Sequence, residues 1–171
     1  MSRKPGSMYR EIKGQAYGRR EYMGGVPASR ITQFEHGKRA DYEVRMTLHV
    51  VEQCQIRHIA LEAARISANR FLAKKIGLTG YFLKIRVFPH NVIRENKIAT
   101  GAGADRISDG MRHAFGKPVG TAARVNADQE IITLETTQSH FVTAKLALKR
   151  AAIKIPSPCY IVVEKGSPTA A

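Results

Sequence analysis

Tyr42-Glu43-Val44-Arg45-Met46-Thr47-Leu48-His49-Val50 puts Tyr42, Val44, Met46, Leu48 and Val50 on one side of an extended chain and Glu43, Arg45, Thr47 and His49 on the other. A strict period of two is the pattern of a half-buried strand. The period then changes. From about Ile59 to Ile76, closed by Gly77, the residues Leu61, Ala64, Ala68, Phe71 and Leu72 follow the stepping of one buried helical stripe. Ile59, Ala63, Ile66 and Ala73 add a second apolar edge. A helix apolar on two sides is expected to be wedged between neighbours, with Arg65, Arg70, Lys74 and Lys75 reaching outward.

Working outward, Tyr81 to Phe88 alternates again and Pro89 ends it. The pattern dissolves from His90 to Arg124, where Gly101, Gly103, Gly110, Gly116, Pro118 and Gly120 accumulate and acids are few. So long an irregular stretch inside a compact domain is usually functional or disordered. Strand character returns at Val119 to Val125 and Ile131 to Glu135. A helix is expected from about Ser139 to Ile153, with a buried face Phe141, Ala144, Leu148, Ala151, Ala152 and with Lys145, Lys149 and Arg150 off it. Cys159 to Glu164 reads as a closing strand. Strands interleaved with two amphipathic helices predict an α+β two-layer sandwich, two helices on one face of a mostly antiparallel sheet. The expected organisation is one domain over 1–171: an arm (1–40), a body (41–166) with a long Gly-rich loop at about 98–118, and a frayed tail (167–171).

The chain has 171 residues, with 28 Lys and Arg against 14 Asp and Glu, a net charge of +14. An excess of this size favours a polyanionic partner, nucleic acid ahead of an anionic membrane surface. No apolar run is long enough to span a bilayer, and the basic N-terminus lacks the apolar stretch of a signal peptide. Cys54 and Cys159 are too few for a disulfide scaffold and read as small buried hydrophobes. Neither Cys54 with His58 nor the scattered histidines make a metal set, so no metal or cofactor is expected.

Up to Arg39 the chain holds nine basic residues, among them Arg3, Lys4, Arg10, Lys13, Arg19 and Arg20, interleaved with Tyr9, Tyr17 and Tyr22 and without apolar periodicity. Charges alternating with stacking faces suit an RNA-binding arm outside the core. Gly101-Ala102-Gly103 invites a dinucleotide-binding reading, but the third glycine of that pattern would fall at Arg106. Asp105 and Asp109 could form an acid/base or magnesium pair, the basis of an RNA-modifying enzyme as an alternative; between Arg106 and Arg112 they read more simply as salt-bridge partners. A helix-turn-helix is disfavoured because a strand pattern, not a helix, follows Gly77-Leu78-Thr79-Gly80. The glycine loop offers backbone amides and spaced charges (Arg106, Arg112, Lys117, Arg124) to phosphates, which suits an irregular folded RNA. A free RNA chaperone is the other alternative.

Several runs carry a resemblance: Arg3-Lys4-Pro5, Met8-Tyr9-Arg10, Ala16-Tyr17, Arg19-Arg20-Glu21-Tyr22, Leu61-Glu62-Ala63 with Ser67-Ala68-Asn69-Arg70, Phe88-Pro89-His90 to Arg94-Glu95-Asn96-Lys97, and above all the run from Thr100 to Arg112. Together they closely resemble the L-ten-e family of large-subunit ribosomal proteins, the archaeal and eukaryotic counterpart of bacterial L-sixteen, over nearly the whole chain. The resemblance implies a hammerhead-type α+β fold, no enzymatic activity and a place on the cytoplasmic ribosome. Its implied partners are large-subunit rRNA between the central protuberance and the peptidyl-transferase region, the vicinity of 5S rRNA, neighbouring large-subunit proteins and the aminoacyl end of tRNA. The absence of a long C-terminal extension looks archaeal. Candidate rRNA contacts are Arg3, Lys4, Arg10, Lys13, Tyr17, Arg19, Arg20, Tyr22, Arg65, Arg70, Arg86, His90, Arg94, Lys97, Lys117 and Arg124. The candidate tRNA-facing loop residues are Gly101, Gly103, Asp105, Arg106, Ser108, Asp109, Gly110, Met111 and Arg112.

Overall fold

The computed structural model describes residues 4–166; Arg3, the tail 167–171 and the side chain of Asp105 lie outside the described residues. The elements in chain order are β1 (Glu35–Gly37), β2 (Val44–Val50), β3 (Cys54–Arg57), α1 (His58–Lys75), β4 (Tyr81–Ile85), β5 (Asn91–Glu95), α2 (Ala104–Ile107), β6 (Lys117–Val125), β7 (Glu130–Thr136), α3 (Phe141–Ala152) and β8 (Cys159–Lys165). The α+β class holds, but the expected single sheet is two: a five-stranded sheet in the order β1-β4-β7-β2-β8 and a three-stranded one in the order β3-β6-β5, antiparallel throughout.

In the large sheet β2 lies between β7 and β8, and its alternating Val44, Met46, Leu48 and Val50 are fully buried beneath the helices. Helix α3 covers β2, β7 and β8, while α1 packs beside α3 and reaches β4 and the small sheet. Leu61, Ala64, Ala68 and Leu72 of α1 and Phe141, Ala144, Leu148 and Ala151 of α3 are buried, with Ala147 joining them and Ala152 only half-buried. The second edge of α1 is not packed away: Ile66 is 40% exposed.

The outer face of the large sheet is polar and its charges are matched. Arg45 Nε lies 2.8 Å from Glu164 and 3.9 Å from Glu135, Lys84 is 2.5 Å from Glu35, and Arg86 is 3.2 Å from Glu130. The Lys84 ammonium holds the Glu35 carboxyl below its ordinary value.

Two expectations are corrected here. The stretch 90–124 is not irregular throughout, because β5 pairs with β6 from Asn91↔Ala122 to Glu95↔Lys117, with a bulge between Ile93 and Arg94. Asn91, Val92 and Ile93 are buried in succession, so β5 shows no alternation to read. At the loop's return, a Cβ on Gly116 would lie 2.8 Å from the Glu95 carbonyl carbon, so only glycine fits. The second correction concerns residues 1–40. Met23 and Ile31 are buried, Ile31 belongs to the core, and β1 extends the large sheet. These are single anchors, and single anchors leave no periodic trace.

Candidate nucleic-acid interface

The segment 4–22 lies along the three-stranded sheet, held by backbone hydrogen bonds that a few polar side chains complete. Asn91 is the hub: its Oδ1 accepts from the Tyr17 amide at 3.0 Å and its Nδ2 donates to Gln55 Oε1. Gln55 in turn donates from Nε2 to the Tyr9 carbonyl at 3.2 Å and from its backbone amide to the Arg10 carbonyl at 2.7 Å. Both amides are buried. Buried polar groups of this kind are costly unless all are satisfied, so the segment and the sheet specify one another.

Arginines reinforce the contact. Arg124 Nη1 donates to the Gly14 carbonyl at 2.9 Å, and Arg57 Nη1 to the Lys4 carbonyl at 3.4 Å. The Arg57 guanidinium lies 4.7 Å from the Tyr9 ring centre. Arg94 on β5 sits in the corner of two rings, 4.1 Å from the centre of Tyr17 and 4.0 Å from that of Phe115, which themselves meet edge-on at 6.0 Å. Three distant pieces of chain, the N-terminal segment, β5 and the end of the glycine loop, thus meet on one guanidinium. Such stacking contributes roughly 0.5–2 kcal/mol per pair. It also occupies ring faces that the sequence reading offers to RNA bases.

A cavity of about 500 Å³ lies between segment and sheet, with Lys4, Lys13, Tyr17, Arg94 and Arg124 on its walls beside Gln55 and Asn91. A neighbouring hollow of about 340 Å³ takes Lys97, Lys4, Arg30 and Arg57. Arg19, Arg20 and Tyr22 are exposed nearby in sequence, as is Lys117 at the start of β6. Arg10 is ion-paired with Glu52, and Lys13 with Glu11 at 3.3 Å. Lys4, Arg19, Arg20, Lys97 and Lys117 have no ion pair among the described residues.

Four candidates lie elsewhere. Arg65 does not reach out, as the helix pattern predicts; it is 9% exposed, gripped by Glu62 through Nη2 at 2.6 Å and Nε at 2.8 Å, and donates from Nη1 to His36 Nε2 at 2.7 Å. Glu62 also accepts from the Thr32 amide and hydroxyl, so Arg65 ties residues 32–36 to α1. Its guanidinium holds Glu62 below the ordinary carboxylate value; burial first, then that same cation, hold His36 below its ordinary 6.5. Arg86 is neutralised on the outer sheet face, Arg70 lines a groove between α1 and α3, and the His90 ring rests 4.6 Å from that of Phe88.

The loop itself is braced at one point. Asn96 Nδ2 donates to the Gly110 carbonyl at 3.0 Å, and Ser108 Oγ accepts from the Gly110 amide at 3.2 Å. Gly101 and Gly103 adopt positive φ with open space around them. Arg106 and Arg112 are exposed, as are Ile107 at 82%, Met111 at 69% and Phe115 at 56%. Asp109 faces His113 at 4.0 Å, not the flanking arginines. The sequence reading leaves out Gln55, Asn91, Asn96 and Phe115. An amide interrupting an apolar strand, as Asn91 does before Val92 and Ile93, is the one signal that could have marked the hub.

Burial raises both thiols, Cys159 to about 11, so neither is a ready nucleophile. Among the described residues no cluster of His, Cys, Asp or Glu could hold a metal ion, and no helix is long and apolar enough to cross a membrane. The family model described as ribosomal protein L16p/L10e matches residues 12–162. The chain belongs to the L16p/L10e family. It is 57% identical over 168 residues to the large ribosomal subunit protein uL16 of Methanocella arvoryzae, covering 98% of each chain. It is 53% identical to the protein of the same name from Thermoplasma volcanium (97% of this chain, 95% of that one) and 52% identical to that from Archaeoglobus fulgidus (97% and 95%). As an L16p/L10e member it is a ribosomal protein, of the kind that builds the large subunit, and not an enzyme.

Proposed function

We propose that the chain binds large-subunit rRNA through the N-terminal segment and the three-stranded sheet, between the central protuberance and the peptidyl-transferase region near 5S rRNA. In this reading residues 1–40 act as the RNA-binding arm, the body carries the hammerhead-type arrangement that the resemblance implies, and the loop at 98–118 meets the aminoacyl end of tRNA. The observation that carries it is the Tyr17–Arg94–Phe115 cluster, which joins arm, sheet and loop base into one surface, where Lys4, Lys97 and Lys117 have no ion pair among the described residues. Phosphates supply the missing anions, and counterion release from them drives association. The loop, with Gly101, Gly103, Asp105, Arg106, Ser108, Asp109, Gly110, Met111 and Arg112, then offers amides, charge and uncovered apolar groups beyond the anchored base. Contact with neighbouring large-subunit proteins completes the assembly.

The test is to build large subunits with a chain lacking residues 99–112. Because the Arg94–Phe115 contact and the β5–β6 pairing lie outside the deletion, rRNA docking is expected to persist and tRNA binding and peptide-bond formation to fall. Full activity in those particles would leave the loop a spacer and remove the tRNA part of the reading. Loss of docking would instead make the loop part of the rRNA contact.

A further inference from the structure

A second groove, about 510 Å³, runs between α1 and the C-terminal end of α3, with Lys154 at its border with a hollow beside Gly6, Ser7 and Arg10. Ala63, Ile66 and Phe71 make an apolar floor, and Arg70, Lys74, Arg150 and Lys154 stand around it. None of these four cations has an ion pair among the described residues. On α3, outside the groove, Val142 (69% exposed), Leu146 (45%) and Ile153 (77%) form a separate exposed apolar stripe within about 40° at 100° per residue. Lys145 and Lys149 border that stripe.

We propose that this groove is a docking site for an acidic amphipathic helix of a partner protein. Two observations select a protein over RNA. The Arg150 guanidinium sits 3.9 Å from the centre of the Phe71 ring, covering the one aromatic face on which a base could stack. The floor of Ala63, Ile66 and Phe71 is apolar, and phosphates and sugars give such surface little to bury, whereas a helix with apolar residues at i, i+4 and i+7 does. Acidic residues flanking those anchors answer the four cations, with Arg150 already held flat and able to meet a carboxylate. The strip from Ala63 to Lys74 accommodates about three turns of a partner helix.

The experiment replaces Ile66 with p-benzoyl-L-phenylalanine in the full chain, photo-crosslinks assembled and assembling large subunits, and sequences the product. The expected product is a single helical segment rich in Asp and Glu with an apolar residue at the cross-link. Its yield should fall about tenfold in Arg70→Glu/Lys154→Glu, as loss of close charge pairs implies. Cross-linking to rRNA, to a basic or neutral segment, to nothing, or with a yield indifferent to charge reversal overturns the proposal. If the charge-reversed chain fails to enter subunits, the free wild-type chain is titrated with a twelve-residue Leu/Glu amphipathic peptide. Anisotropy should then report binding that Ile66→Asp weakens about tenfold, and equal binding by wild type and Ile66→Asp again overturns it.

Discussion

The outer face of the five-stranded sheet and the surface along the three-stranded sheet are both rich in arginine and lysine, but their cations have different company. On the large sheet Arg45, Lys84 and Arg86 each meet a glutamate across a strand boundary, as cross-strand registers such as Arg45↔Glu135 and Glu35↔Lys84 dictate. Along the small sheet Arg94 is held by rings and Arg124 by a backbone carbonyl, which fix a guanidinium without cancelling its charge. Lys97, Lys117, Arg19 and Arg20 have no ion pair among the described residues. A basic residue therefore marks an anion-binding surface when its partner is neutral, and a structural one when its partner is a carboxylate. By that criterion Arg10, Lys13, Arg65 and Arg86, each beside a carboxylate, rank below Arg94 as proposed RNA contacts.

The largest expected effect tests this contrast directly. Replacing Arg19, Arg20, Lys97 and Lys117 together by Ala should weaken binding to an rRNA fragment by about 100-fold or more at 0.1 M salt and flatten the salt slope by roughly three, with thermal unfolding almost unmoved. Replacing Arg45, Lys84 and Arg86 should do the reverse. Equal losses of RNA affinity in the two variants, read by filter binding from 50 to 300 mM KCl, would break the comparison.

Next in size is Asn91→Ala. Removing the hub leaves the Tyr17 amide and Gln55 Oε1 without their Asn91 partners, which should cost about 2–3 kcal/mol in urea unfolding and release amide protection over residues 9–18. Unchanged hydrogen exchange there would show the N-terminal segment to be held by its arginines alone. A smaller effect is expected for Glu130→Gln, which unpairs Arg86 at a site about one-third exposed: about 0.5–1 kcal/mol of stability and no change in RNA affinity. A gain in RNA affinity would sharpen the contrast by showing that the carboxylate alone keeps Arg86 from anions.

The smallest effect concerns acid. Burial, and then the Arg65 cation from which His36 accepts, favour the neutral ring in the folded state, so its pKa lies below the ordinary 6.5. The unfolded chain takes up the proton first, so this contribution is complete above about pH 6.5 and is lost as pH falls from there through the folded value. Melting temperatures from pH 7.5 to 5 should decline more steeply for the wild type than for His36→Gln, and parallel curves would remove the linkage.

The long periodic elements are legible because each carries its own burial record: β2, α1 and α3 begin and end within a few residues of where alternation or helical stepping places them. Short elements are not. β1 and β3 are three and four residues long, too few for a period, and exist because Lys84 to Phe82 and Val125 to Ala122 offer them edges. The basic character of the N-terminal segment and the openness of the glycine loop are also written in the chain, since charge and the freedom of Gly101 and Gly103 are local properties.

What the sequence determines by itself is thus the class of fold, the polyanionic character of the partner and, through its long motifs, the family. Only the tertiary structure decides that there are two sheets and that residues 4–22 are docked on the smaller one. It alone also decides which arginines are already neutralised. Those outcomes depend on residues far apart in the chain, such as Tyr17 with Asn91 and with Arg94, and no local pattern encodes a partner that folding brings from more than seventy residues away. Glu62 and Arg65 are the instructive exception. Their i, i+3 spacing is visible in the sequence, yet burial, which turns that spacing from a solvated pair into a clasp, comes from Thr32 and His36 packing over it.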